Sequence, residues 1–141
     1  MRVNSVKPRF VEFVPDTLEE GIVYVSIEYG AVIHSCCCGC GEKVSTPLSP
    51  AQWSITYDGQ RISLWPSVGS GALPCNSHYI ISRNQVQWAS SLTQAQTQAA
   101  QRRDRSDLVE HYEFQVAEAQ EHANWRSRIK RWLRRTSSGQ G

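Results

Sequence analysis

The chain has 141 residues, 40% of them hydrophobic and 20% charged, with a formal net charge of +2. That composition is globular rather than disordered and leaves room for one ordinary core and little more. No apolar run approaches membrane-spanning length and the opening MRVNSVKPRFVEF has no signal-like apolar stretch, so the expected setting is the cytoplasm, away from membranes. Lys plus Arg against Asp plus Glu number 6 and 7 over residues 1–90 but 9 and 6 over residues 91–141, which argues against a nucleic-acid surface on the body and leaves one open on the tail.

Arg9 to Val14 alternates polar and apolar residues and predicts a strand stopped by Pro15-Asp16. After a turn over Thr17–Gly21, the run IVYVSIEYGAVI from Ile22 to Ile33 reads as one long strand, bent at Gly30, that delivers His34. Ser49 as N-cap with Pro50 behind it predicts a short helix. Asp58-Gly59 between Ser54–Tyr57 and Arg61–Leu64 predicts a hairpin. Residues 65–74 are too rich in Pro and Gly for a regular element, and a second hairpin follows, Ser77–Ser82 and Gln85–Ala89 about Arg83-Asn84. The fold class is mainly β: a small antiparallel domain over residues 1–90, stapled by the cysteine-held metal argued below. A helical, basic extension occupies residues 91–141, with Leu108, Tyr112, Val116, Ala119, Ala123, Ile129 and Leu133 along one face. Arg126, Arg128, Lys130, Arg131, Arg134 and Arg135 crowd its end, suiting the helix dipole, an acidic partner or nucleic acid, with Trp125 and Trp132 as anchors.

His34-Ser35-Cys36-Cys37-Cys38-Gly39-Cys40-Gly41 holds four of the five cysteines. Cysteines this close cannot readily bridge one another, and cytosolic thiols stay reduced, so a metal is the better sink. Cys36, Cys38 and Cys40 alternate and with Cys75 would complete an all-thiolate structural zinc site. The rival Cys37-x-x-Cys40 knuckle, a cluster of free thiols and a redox pair compete with that reading, and His34 or His78 could instead supply a ligand.

Much of residues 10–89 resembles a bacterial family of small domains encoded beside a ubiquitin-like modifier and its activating-enzyme-like and conjugating-enzyme-like partners. The resemblance rests on Phe10-Val11-Glu12-Phe13-Val14-Pro15, Leu18-Glu19-Glu20-Gly21, Tyr24-Val25-Ser26, Glu28-Tyr29, His34-x-Cys36-x-Cys38-Gly39-Cys40-Gly41, Thr46-Pro47-Leu48-Ser49-Pro50, Asp58-Gly59, Pro66-Ser67-Val68-Gly69 and Pro74-Cys75-x-Ser77-His78-Tyr79. It departs at Gly69-Ser70-Gly71, and the helical tail lies outside it. It implies a zinc-containing serine peptidase that trims the modifier's precursor and removes the modifier from its targets. The partners so implied are the modifier, its conjugates and the conjugation enzymes.

The resemblance does not by itself name the nucleophile. If the strand before the cysteines pairs with the one holding Cys75, the register that sets Cys36 opposite Cys75 sets His34 opposite Ser77. His34 is then the base, Ser77 the nucleophile, and Glu28, of the same strand parity, the orienting acid. The competing pair is Ser67, in the Pro-rich loop, with His78 as base. The rival function classes are a non-catalytic zinc-stapled module that binds the modifier or its conjugation enzymes, and a zinc hydrolase.

Overall fold

The computed structural model describes residues 1–69, 74–90 and 93–137, without the side chains of 132–137. Strands β1 (Lys7–Phe10), β2 (Ile22–Ser26), β3 (Ala31–Ser35) and β4 (Lys43–Pro47) form one sheet in that order. Strands β5 (Ser54–Tyr57) and β6 (Ile62–Trp65) form a hairpin, and β7 (Val68–Gly69), β8 (His78–Ser82) and β9 (Gln85–Trp88) form a third sheet. Only β1–β2 runs parallel among the described strand pairs. Helix α1 spans Gln94–Ser137. The fold is thus mainly β with a long C-terminal helix, as the residue patterns predict.

The long strand predicted for residues 22–33 is two. Ser26 pairs with Ala31 across a turn closed by the Gly30 N–H on the Ile27 carbonyl, with Gly30 at φ +56°. That turn needs a left-handed residue, so the glycine makes a reversal where the sequence suggests a bend. Beyond β3 the cysteine stretch is itself the tip of a hairpin: Ser35 pairs with Lys43, and the Cys36 N–H reaches the Glu42 carbonyl at 2.8 Å. Strand β4 is absent from the sequence reading. It takes the edge of β3 that the predicted register gives to the Cys75 segment, because closing a seven-residue loop costs less chain entropy than bringing in a distant strand.

The strand predicted at Arg9–Val14 forms earlier, at Lys7–Phe10, where the Lys7 N–H meets the Gly21 carbonyl. Phe13 leaves the sheet and packs on Tyr29, ring centroids 5.6 Å apart. The short helix expected at Ser49-Pro50 is a turn, because the Ser49 N–H goes to the Trp53 carbonyl and the Gln52 N–H to the Ser49 carbonyl.

Both predicted hairpins form. Arg83 (φ 46°) and Asn84 (φ 65°) make the two-residue turn of β8–β9 with both central residues left-handed, the geometry that matches strand twist. Asn84 also ties this sheet to β6: its Oδ1 accepts from the Ile62 N–H at 2.8 Å and its N–H donates to the Ile62 carbonyl at 2.9 Å. Asn84→Ala should cost about 2 kcal/mol, from left-handed strain and an orphaned amide. Asn84→Gly, which keeps the turn, should cost less, and thermal melts of the two variants check the order.

The core gathers Val6, Val23, Val25, Val32, Ile62, Leu64, Val68, Tyr79, Ile81 and Val86 with Cys36 and Cys37. The N-terminal segment stitches it, through Val3 N–H to the Cys37 carbonyl and Val86 N–H to the Asn4 carbonyl.

The chain divides into two compact units, Met1–Asp104 and Arg105–Gly141, a boundary inside α1. Helix α1 begins at a reciprocal cap in which Gln96 Oε1 accepts from Thr93 N–H while Thr93 Oγ1 meets Gln96 N–H. In the second unit Val109, Tyr112, Phe114, Val116 and Trp125 are all exposed, so apolar residues are spread around the helix rather than gathered on one buried face. The side chains of Trp132, Leu133, Arg134 and Arg135 lie outside the described residues. No described helix is long and apolar enough to cross a membrane.

Candidate active site and metal centre

Cys36, Cys38 and Cys40 come from the β3–β4 hairpin tip and Cys75 from the segment before β8, and their four Sγ atoms all lie within 4.8 Å of one another. The Cys36–Cys38 and Cys36–Cys75 separations are 3.5 and 3.9 Å. Thiolates at about 2.3 Å around a tetrahedral ion would stand about 3.8 Å apart, so the cluster is already of the size a metal needs. The predicted ligand set is the one the fold assembles, and Cys37 is the spare. Its thiol is buried in the core, which pushes it up to about 11.

Burial likewise pushes Cys36 up to about 12. For Cys38 burial acts in the same direction but is outweighed by hydrogen bonds from Ser77, Cys40 and Cys36, which hold the thiol below its ordinary value. A bound cation would deprotonate coordinating thiols outright. The bend at the tip requires Gly39, at φ +83°, since a Cβ there would stand 2.5 Å from the Met1 nitrogen and 2.7 Å from the Met1 carbonyl oxygen.

His34 does not meet Ser77. It lies opposite Val23 on β2 and Val44 on β4 and is 1% exposed, with Nε2 2.9 Å from the Tyr79 hydroxyl and Nδ1 without a partner. Burial drives it down to about 4, so it is neutral at physiological pH and walled off from substrate. Tyr79 is fully buried and also accepts the Cys37 N–H at 3.4 Å, so the histidine belongs to a core network. Ser77, placed beside the cysteine cluster, bonds Cys38. Glu28 is exposed in the β2–β3 turn, where the strand parity proposed for it does not apply.

The other pair does come together. Val68 pairs with Tyr79 and Gly69 with His78. Extending that register sets Ser67 opposite Ile80, on the face of His78 and diagonal to it, within reach of a long side chain. His78 Nε2 is 2.9 Å from Ser67 Oγ, and its Nδ1 is 2.8 Å from the Ser90 carbonyl oxygen. An acceptor at Nδ1 leaves Nε2 as the lone-pair nitrogen, ready to take the serine proton. Both groups are partly exposed, unlike His34. Ser70 and Gly71, where the resemblance departs, lie outside the described residues.

A family model described as bacterial ubiquitination-like system serine protease (BubE) matches residues 10–89. The chain belongs to that family. Neither a curated protein nor a solved structure matches it. The BubE match spans all four clustered cysteines, Ser67 and His78, and the family's description as a serine protease agrees with a serine hydroxyl set against an imidazole.

Proposed function

We propose that this chain is a serine peptidase that processes the precursor of a bacterial ubiquitin-like modifier and removes that modifier from its conjugates, working beside activating-enzyme-like and conjugating-enzyme-like partners in the cytoplasm. The observation that carries the chemistry is the 2.9 Å contact between His78 Nε2 and Ser67 Oγ. The family membership carries the substrate class.

Ser67 is the nucleophile and His78 the base. As Oγ attacks the carbonyl carbon of the modifier's last residue, Nε2 takes its proton. When the tetrahedral intermediate collapses, the same proton goes to the leaving amine, a peptide nitrogen in the precursor or a lysine nitrogen in a conjugate. Water, deprotonated by His78, then releases the modifier from Ser67.

Cys36, Cys38, Cys40 and Cys75 would hold a zinc ion, for which four thiolates are the typical structural ligand set, and such a shell keeps no position for substrate. The metal's part is then to fix the loop that precedes β8, three residues before the base. Incubation with the ubiquitin-like precursor tests the reading: a mass loss from its C-terminus is expected, and an unchanged mass with a folded, metal-loaded chain would exclude processing.

A further inference from the structure

We infer that the main-chain carbonyl of Ser90 is the third member of the relay, orienting His78 where a carboxylate serves in a Ser-His-Asp arrangement. The inference rests on the serine-peptidase reading for its catalytic meaning, though not for its geometry. Both ring nitrogens of His78 are engaged, Nε2 with Ser67 Oγ at 2.9 Å and Nδ1 with the Ser90 oxygen at 2.8 Å. A carbonyl can only accept, so it selects the ring form with the proton on Nδ1, the one form that can receive the Ser67 proton at Nε2.

The placement is built into the sheet. The β8–β9 ladder continues one residue past Trp88, with the Ala89 N–H on the His78 carbonyl at 2.9 Å. His78 thus holds the backbone of Ala89, and the next carbonyl along returns to the His78 ring. Base and orienting group are positioned by one strand pair, with no acidic side chain required. Glu28, the acid that strand parity suggests, is exposed in a turn instead. Ser90 acts through His78 and is a positioning residue, and its contribution comes from the peptide group rather than the hydroxyl.

The test uses the full-length chain with ¹⁵N-labelled histidine, its His78 ring signals assigned by their loss in His78→Gln. Long-range proton–nitrogen spectra should show the proton on Nδ1. A ligated full-length chain in which an α-hydroxy acid replaces Ser91 turns the Ser90 amide carbonyl into an ester carbonyl, a weaker acceptor. The ring should then shift toward a mixture of tautomers, and phosphonylation of Ser67 by a small fluorophosphonate should slow about tenfold. If that chain does not refold, Ala89→Pro, which removes the N–H holding this backbone in place, should give the same two changes. A proton found on Nε2, or an ester that alters neither the ring signals nor the labelling rate, would overturn the inference. A wild-type Ser67 that never reacts, beside an Nδ1 proton that responds to the ester, would sink the peptidase reading while upholding the carbonyl's hold on the ring.

Discussion

Ser67→Ala and His78→Ala should each lower the cleavage rate at least about a thousandfold, and the double variant should be no worse than either alone, because nucleophile and base act as a unit. Both side chains are partly exposed and neither belongs to the buried core, so metal content and melting temperature should stay close to wild type. The residues favoured by the sequence register should behave differently. Ser77→Ala removes a hydrogen bond to Cys38 and should weaken metal retention more than it slows the chemical step. His34→Ala empties a fully buried site and breaks the bond to Tyr79, which should cost about 2–4 kcal/mol of stability. The fraction still folded should cleave at near the normal rate. Turnover per folded molecule, compared across the four variants, separates the two assignments.

Stripping the metal should be the most damaging change to the fold. The cysteine cluster ties the β3–β4 tip to the segment leading into β8, and structural metal sites contribute folding free energy directly. Cys36→Ser or Cys75→Ser should abolish stoichiometric metal, lower the melting temperature by tens of degrees and silence cleavage, since Cys75 lies three residues before the base. Cys37→Ser should keep the metal and cost only the burial of one thiol, about 1 kcal/mol. Elemental analysis and melts with and without chelator decide this. A wild-type chain with no stoichiometric metal, or one whose melt is indifferent to chelator, would contradict the reading.

What was legible in the sequence is what local chemistry encodes. Asp58-Gly59 and Arg83-Asn84 announce their hairpins because few residues tolerate the backbone those turns need. Cys36, Cys38 and Cys40 announce a shared site because thiols this dense in sequence have a metal as their better sink, although a turn at the hairpin tip rather than strand alternation gathers them, and Cys75 completes it as the one cysteine left outside the run. What stayed hidden depends on which distant strands pair. The β-rich run from Ile22 to Ile33 carries no proline or Asn-Gly pair that marks its break, so the turn at Gly30 reads as a bend and β4 leaves no signal of its own. Once β2 and β4 occupy both edges of β3, His34 cannot reach Ser77, however well the spacing suits it. The Ser67–His78 pair was visible only as an alternative, because the strand that aligns it, β7, is two residues long and set among prolines and glycines. Ser90 left no signal at all, since every residue offers the same carbonyl.

The central claim is that Ser67 is the nucleophile, and covalent labelling tests it most directly. The full-length, metal-loaded chain is treated with a fluorophosphonate, digested, and the adduct located by peptide mass spectrometry. A single adduct on Ser67, lost in His78→Ala, is the predicted result. An adduct on Ser77, or labelling of Ser67 that persists undiminished without His78, would contradict the account.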